Sequence, residues 1–406
     1  MNAITKIISI ILAALISAVS PAAGAAAPSD DGGETHDTHA SETKKDEDET
    51  VKESLTGFSF AGKLYGSMSE DENWFISPHS IKTALLMAAN GASGETRKQI
   101  MNVLASDDLD EENAAAKSFN EKIGSLSDIT LEKGDSLWVN LDNPNGAKFS
   151  DSFVKLMKDC YSAETGEVTS ENGAGIINGW VSEKTHGRIT NLIDKADFDT
   201  AIIDTIYMKA EWQNKFDARA TFPETFHNAD GSTTNTDFMH KTAYFSYAEH
   251  EGCRIAVLPY KGGASMTLIL GETDMDISEL IKGAVYSEQE LQLAMPKFSG
   301  DTTLTLDKTL KALGMTDAFD KDKADFASMV DRGNMYISTI LHKANVDVDE
   351  DGTEAAAVTA IMYAATSAFI EKPQPIPFVC DRPFTYVISD DETGEILFMG
   401  RYADAE

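Results

Sequence analysis

Apolar residues in the first half of the chain recur with the period of a helix. In the segment 80–90, Ile81 and Leu85 fall on one helical face, and Ser77 followed by Pro78 is a typical helix start. The same pattern predicts helices over the segments 95–104, 114–126 and 176–185. We therefore expect the first half to be mainly helical.

After residue 200 the pattern changes to short runs that are continuously apolar or alternate, as strands do. These runs are AIIDTIYMKAEW, RIAVLPY, ASMTLILG, LQLAMPKF, MYISTILHKANVDVD, TYVISD and GEILFMGRY. Helices gathered early and strands gathered late indicate an α+β fold and not alternating βαβ units. No linker and no internal repeat divides the chain after residue 57.

The segment 350–369 (EDGTEAAAVTAIMYAATSAF) follows one of these strands and consists mainly of small and β-branched residues. Gly352 near its start permits backbone angles that other residues avoid. In an extended conformation, one face carries no charge and little bulk, so it can be buried as an added strand within a sheet. The residues on this face include Thr353, Ala355, Ala357 and Thr359. The composition predicts a mobile segment that can become a strand.

Two other interpretations of this segment stay open. An alanine-rich run forms helices readily, although Val358 and Thr359 are poor helix formers. The acidic residues at its start also match the opening of an EF-hand calcium loop: Asp347, Asp349, Asp351 and Gly352. That loop needs a glutamate at its twelfth position, where this chain has Val358.

The N-terminal residues have the order of charge, apolar core and small residues that is typical of a secretory signal peptide. Lys6 precedes an apolar run over residues 7–19, and small residues follow as far as Ala27. We expect a signal peptide over residues 1–25, a disordered acidic leader over 26–56 and a folded domain over 57–406. The domain is therefore expected to be secreted and extracellular.

The chain is strongly acidic, with 67 Asp and Glu against 34 Lys and Arg and a net charge of −33. Most of the acidic residues follow residue 57, so the charge belongs to the predicted domain. There is no basic stripe that could displace the counterions of a polyanion. We therefore expect no nucleic acid as partner. The N-terminal apolar run is also too short for membrane insertion.

No local motif points to catalysis. The sequence has no G-x-S-x-G elbow, no H-E-x-x-H pair, no glycine-rich phosphate loop and no C-x-x-C pair. We expect a protein that is not an enzyme and that needs no cofactor and no metal. Residues that are distant in sequence can still meet in space, so a secreted hydrolase stays as an alternative.

Several blocks of sequence together resemble the serpin family over nearly all of residues 58–402. They include NWFISPHSIKTALLMAANGASGETRKQI, YMKAEW, LAMPKF, LHKANVDVDEDGTEAAAVTA and FVCDRPFTYVISDDETGEILFMGRY. Each block is short, but they follow one another in the order of the family. The resemblance implies the serpin fold, an α+β fold with three β-sheets, eight or nine helices and an exposed reactive-centre loop.

The resemblance also implies a function and a partner. Inhibitory serpins are suicide substrates, because a serine protease that cleaves the loop is trapped as an acyl-enzyme when the loop inserts into the central sheet. The hinge that begins this insertion corresponds to Glu350, Gly352, Thr353, Ala355, Ala357 and Thr359. Its small residues favour an inhibitor, expected to be a monomer. A non-inhibitory serpin that acts as chaperone, store or carrier stays as the alternative.

With the hinge spacing of the family, the cleaved bond falls between Thr366 and Ser367. The neighbouring residues expected in the protease subsites are Tyr363, Ala364, Ala365 and Ala368. Small residues here indicate a protease with small-residue specificity, such as an elastase-like enzyme. Tyr363 or Phe369 would instead suit a chymotrypsin-like enzyme. The nearest basic residue for a trypsin-like enzyme is Lys372, which precedes a proline.

The family has a hydrogen-bonded cluster, the shutter, under the strands that separate during insertion. Its matches in this chain are Ser77, Ser80, Asp204 and His342, and the family usually has Asn at the position of Asp204. One hypothesis is that the Asp204 carboxylate keeps the His342 imidazole charged and makes insertion sensitive to pH. The alternative is an ordinary hydrogen-bonded cluster. Trp212 matches the breach, where insertion begins, and a structural role in an aromatic core is the alternative.

Many serpins bind heparin through a basic helix. The matching segment of this chain is acidic and contains Asp107, Asp108, Asp110, Glu111 and Glu112. The sequence therefore disfavours heparin as a partner.

Overall fold

The computed structural model describes residues 55–123, 128–144, 146–353 and 374–405. The α-helices in this part of the chain are α1 (Phe60–Gly66), α2 (Pro78–Gly91), α3 (Gly94–Leu104), α4 (Leu109–Ile123), α5 (Asp151–Tyr161), α6 (Gly173–Lys184), α7 (Ile277–Gly283) and α8 (Asp307–Ala312). Short 3-10 turns lie at Ala218–Ala220 and Asp317–Phe319. None of the described helices is both long and apolar enough to cross a bilayer. The four helices predicted from periodicity correspond to α2, α3, α4 and α6.

The strands in the same residues are β1 (Trp74–Ile76), β2 (Ile129–Asn140), β3 (Glu164–Val168), β4 (Thr200–Glu211), β5 (Thr221–His227), β6 (Thr233–His250), β7 (Cys253–Pro259), β8 (Ala264–Leu270), β9 (Ser287–Pro296), β10 (Phe298–Thr305), β11 (Thr339–Val348), β12 (Gly352–Thr353), β13 (Ile376–Val379), β14 (Phe384–Asp390) and β15 (Ile396–Tyr402). All seven predicted runs after residue 200 are strands. The pattern missed the longest strand, β6, because polar residues dominate its first five positions.

The strands form two hydrogen-bonded sheets, and the fold is α+β as predicted. The larger sheet has the order β1-β15-β14-β8-β7-β6-β9-β13, with β5 also paired to β6. The smaller has the order β10-β11-β4-β2-β3, with β12 also paired to β4. The resemblance implies three sheets, whereas the hydrogen bonds connect the strands into two. Two of the three expected sheets are joined in the larger one because β6 pairs within both of them. It pairs with β5 and β9 over its earlier residues and with β7 from Ser246 onward.

Strand β4 is buried on both faces. Ile206, Met208 and Ala210 pack in the large core that includes residues of both sheets. Ile203, on the opposite face, packs with Trp180 of α6. A strand that is covered on both sides has a nearly continuous apolar sequence, and this is why the pattern identified β4.

Helix α2 carries polar side chains into the interior. It begins with Pro78 in its first turn, and the Ser77 hydroxyl accepts a hydrogen bond from the Ser80 N–H at 3.1 Å. Nearly all of its residues are buried, and it contacts strands of both sheets. A helix that is buried all round can place its polar residues only against buried partners.

Candidate functional site

The smaller sheet has a seam between two parallel strands, β4 and β11. Their pairing ends with Tyr207 of β4 opposite Asn345 of β11. Beyond this point β11 continues to Val348 along β10, and β4 continues to Glu211. The two strands therefore part at this end of the seam and leave a gap.

The start of the segment 350–369 lies in this gap. Strand β12 is antiparallel to β4, with Gly352 opposite Glu211 and Thr353 opposite Ala210. A tight turn precedes it, in which the Asp349 N–H donates to the Gly352 carbonyl oxygen at 2.9 Å. The opposite edge of β4 is occupied by β2, so β12 lies on the edge that β11 occupies further along. The chain thus leaves β11, turns back and begins a new strand at the seam.

Gly352 is required for this turn. Its φ angle is +139°, a backbone conformation that residues with a side chain rarely adopt. A Cβ atom at this position would lie 2.3 Å from the Ala210 carbonyl oxygen and 2.7 Å from the Trp212 nitrogen. Glycine therefore permits both the turn and the close approach of β12 to β4.

Trp212, the match to the breach, is hydrogen-bonded to the turn. Its indole Nε1 donates to the Asp349 carbonyl oxygen at 2.9 Å, and its backbone N–H donates to the Asp351 carbonyl oxygen at 2.9 Å. Its ring stacks on Tyr260 with centroids 4.2 Å apart. Trp212 is 1% exposed, so it is a core residue as well as an anchor for the turn.

Carboxylates of the turn are held by neighbouring groups. Glu350 accepts from the Lys297 ammonium at 2.8 Å, and Asp351 accepts from Lys215 at 3.0 Å. The Asp349 side chain accepts the N–H groups of Asp351 and of Gly352. These carboxylates therefore stabilise the turn itself.

The matches to the shutter meet at the middle of the seam. His342 of β11 lies opposite Asp204 of β4, and its Nδ1 is 2.6 Å from an Asp204 oxygen. The other Asp204 oxygen accepts from the Ser80 hydroxyl, and the Ser77 hydroxyl donates to the Leu397 carbonyl oxygen at 2.6 Å. The four predicted side chains are all fully buried. The cluster links β4, β11, α2 and β15.

The hydrogen bonds of His342 correct the hypothesis of a charged imidazole. The Ser77 backbone N–H points at Nε2 of His342 at 3.1 Å, so Nε2 must be the acceptor. The proton of the ring therefore lies on Nδ1 and is donated to Asp204. In a charged imidazole Nε2 also carries a proton, so its N–H group would face the N–H group of Ser77. The neutral ring is the form that ties the seam to α2.

Asp135 is a neighbour of this cluster that the sequence did not point out. It lies on β2 directly opposite Asp204 and is 5% exposed. One of its oxygens is 3.3 Å from the Lys133 ammonium, and the other has no hydrogen-bond partner among the described residues. Burial raises the pKa of Asp135 to about 6, with the Asp204 charge adding to the effect and Lys133 opposing it.

We expect Asp135→Asn to stabilise the folded chain at pH 7.5 by ~1–2 kcal/mol. The folded Asp135 has a pKa above its unfolded value, so the stability of the wild type falls as pH rises from about 4 to about 6. Asparagine removes this loss. Urea unfolding midpoints at pH 4 and pH 7.5 should show a gain at the higher pH alone. In an Asp204→Asn background the stability gained from Asp135→Asn should be smaller. An equal gain at pH 4 and pH 7.5 would contradict this role for Asp135.

Many of the predicted site residues lie outside the described residues. They are Ala355, Ala357, Thr359, Tyr363, Ala364, Ala365, Thr366, Ser367 and Ala368. The predicted signal peptide and residues 26–54 of the predicted leader lie outside them as well. Of the predicted hinge residues that are described, Glu350 lies in the turn, and Gly352 and Thr353 form β12 at one end of the seam. The four shutter matches lie together further along it.

The chain is similar to known proteins in both sequence and structure. The sequence profile of the family described as "Serpin (serine protease inhibitor)" matches residues 56–405. A serpin-like protein of Thermococcus kodakarensis is 33% identical over 88% of this chain and 86% of its own length. Human antithrombin-III is 30% identical over 85% of this chain and 79% of its own length. The crystal structure of the thermophilic serpin tengpin in its native state superimposes with a TM-score of 0.76 at 28% identity, covering 88% of this chain and 94% of tengpin.

Proposed function

The chain belongs to the serpin family, and we propose that it is a secreted suicide-substrate inhibitor of a serine protease with elastase-like specificity. Members of the family are in general protease inhibitors and not enzymes. The observation that carries the proposal is the pairing of β12 with β4 in the gap at the end of the seam. The chain there runs antiparallel to β4, and this supports insertion of the following residues in the same direction.

Continued in the same register, the strand would place its small face against the core. Ala355 would come opposite Met208, Ala357 opposite Ile206 and Thr359 opposite Asp204, because antiparallel partners change by one residue each. Directly opposite residues have side chains on the same face, and Ile206 and Met208 face the large core. The buried face of the new strand would thus carry small, uncharged side chains, which burial does not penalise.

Insertion needs the seam to open and is driven by the pairing that follows. The β4–β11 pairing and the hydrogen bonds around His342 must separate first. The new strand then gains pairing on both of its edges, and each net hydrogen bond contributes ~1 kcal/mol. The fourteen residues from Thr353 to Thr366, at about 3.3 Å each, would carry a tethered protease about 45 Å.

Displacement of this size explains the trapping of a protease. The protease cleaves the loop and remains attached through an ester between its serine and the new carboxyl end. Deacylation needs its triad and oxyanion hole in exact register, and misplacement by about 1 Å can cost a hundredfold in rate. Pulling on the ester as the strand inserts therefore favours a long-lived acyl-enzyme.

The target is assigned from the loop residues on the N-terminal side of the proposed cleaved bond, Thr366–Ser367. Ala364, Ala365 and Thr366 have small side chains that suit a shallow primary pocket. We assign Thr366 as the residue that enters this pocket. The inhibitor would act as a monomer that forms a covalent complex with one protease molecule.

Incubation with pancreatic elastase tests the proposal. We expect a complex that survives boiling in detergent, together with release of the peptide that begins at Ser367. The mass of this peptide identifies the cleaved bond. Complete cleavage of the loop without a complex would contradict inhibition of this protease and would favour a non-inhibitory serpin. Hydrolysis of small ester substrates by the chain alone would favour the hydrolase.

The acidic surface near α4 supports the absence of heparin from the mechanism. The first turn of α4 contains Asp110, Glu111 and Glu112. A sulfated polysaccharide would have to approach these carboxylates against their charge. Equal rates of complex formation with and without heparin are the expected result.

Secretion through a signal peptide over residues 1–25 belongs to the same proposal, and N-terminal sequencing of the exported chain tests it.

A further inference from the structure

A cavity of about 260 Å³ lies between α2 and α4. We call it the α2–α4 pocket. Its lining residues include His79 and Leu86 of α2 and Ala115, Ala116 and Phe119 of α4. A smaller cavity of about 150 Å³ lined by apolar side chains holds benzene, so this pocket has room for a bicyclic ring system.

One buried polar atom in the wall has no partner. His79 is 6% exposed, and its Nε2 accepts or donates no hydrogen bond among the described residues. Its other ring nitrogen, Nδ1, is 3.3 Å from a Glu395 carboxylate oxygen. Burial lowers the pKa of His79, so the ring is neutral near pH 7 and its single proton is donated to Glu395. Nε2 is therefore a lone-pair acceptor, and a buried acceptor without a donor costs free energy.

The charged groups of the wall are already paired. The Lys82 ammonium is 2.9 Å from Glu112, and the Lys122 ammonium is 2.7 Å from Asp390. An anionic ligand would compete with these carboxylates, and a cationic ligand would compete with the lysines. A neutral ligand avoids both costs. The apolar part of the wall is formed by Leu86, Ala115, Ala116 and Phe119.

We propose that the α2–α4 pocket binds a small, neutral aromatic molecule that carries one N–H or O–H donor for Nε2 of His79. The ring of the ligand would pack between Leu86 and the alanines of α4. The phenyl ring of Phe119, 4.1 Å from the His79 imidazole between centroids, must turn to admit the donor. Phe119 is half-buried and packs against the large core, so admitting the ligand costs part of this contact.

Indole is the probe that fits this description, and indene is its matched control without an N–H group. Titration of the full chain, with the ring nitrogens of its histidines ¹⁵N-labelled, should give a Kd for indole of about 0.1–1 mM. The resonance of one unprotonated Nε2 should shift as it accepts a hydrogen bond. Indene should bind at least about tenfold more weakly, because it leaves Nε2 without a donor. Equal affinities for the two probes would overturn the proposal.

A pair of variants of α4 locates the site. Ala116 lines the pocket, and Ala116→Trp should fill it and abolish indole binding. Ala114 is exposed on the same helix and does not line the pocket, so Ala114→Trp should leave binding unchanged. Unfolding midpoints of both variants show whether the fold is retained. Wild-type affinity for indole in folded Ala116→Trp would place the probe elsewhere and overturn the proposal.

Discussion

An Ala357→Arg chain is expected to be cleaved by elastase without forming a covalent complex. In the proposed register, residue 357 comes opposite Ile206 and faces the large core. An arginine there would bury a charge without a partner, which costs about 3 kcal/mol or more. If the transition state for insertion carries this cost, the rate of insertion falls about a hundredfold. Deacylation would then finish first, and the inhibitor would become a substrate.

The matched control for this variant is Glu354→Arg. In the same register residue 354 comes opposite Lys209, on the other face of the strand, where the sheet is half-exposed. An arginine at this position keeps its charge near solvent, so Glu354→Arg should still form the detergent-stable complex. Gel electrophoresis of timed reactions separates the complex from cleaved inhibitor. A complex of undiminished yield from Ala357→Arg would refute the proposed register.

Thr366→Arg should redirect the inhibitor from elastase to trypsin. The primary pocket of a trypsin-like enzyme holds an arginine by an ion pair, whereas the shallow pocket of elastase excludes it. We expect the rate constant for complex formation to fall at least about a hundredfold with elastase and to rise by a similar factor with trypsin. Residue 366 lies at the end of the inserted segment, beyond the length of β4, so the substitution leaves the buried face of the strand unchanged.

Thr366→Val is the control for side-chain size. Valine also fits a shallow pocket, so this variant should continue to trap elastase. In the wild type and in both variants, the mass of the released peptide should correspond to a peptide that begins at Ser367. If Thr366→Arg traps elastase as fast as the wild type does, the cleaved bond lies elsewhere, and a peptide beginning after Tyr363 or Phe369 would identify it.

The sequence was sufficient for the fold class and for the strands that are buried on both faces. Strand β4 was predictable because Ile203 and Ile206 face two different cores, so its sequence is apolar at most positions. Strand β2 was missed because it contains Glu132, Lys133 and Asp135, charges that a pattern assigns to a surface. These charged side chains can lie within the fold because residues from distant parts of the chain interact with them.

The candidate site was predictable in its members but not in its protonation. The resemblance brought together Ser77, Ser80, Asp204 and His342, which are distant in sequence. It could not show that the Ser77 N–H points at Nε2 of His342, because this depends on where α2 begins. The same limit applies to Asp135, whose burial opposite Asp204 follows from strand register. Register is a property of the assembled sheet.

Thermal unfolding of intact and loop-cleaved chain tests the central claim most directly. The chain is cut once within residues 363–366 by a metalloprotease, which forms no acyl-enzyme and so cannot be trapped. Insertion of the severed segment at the seam would add ten or more backbone hydrogen bonds of ~1 kcal/mol each. We expect the cleaved chain to unfold more than about 20 °C above the intact chain. Equal unfolding temperatures for the two forms would show that no strand is gained on cleavage and would contradict the account.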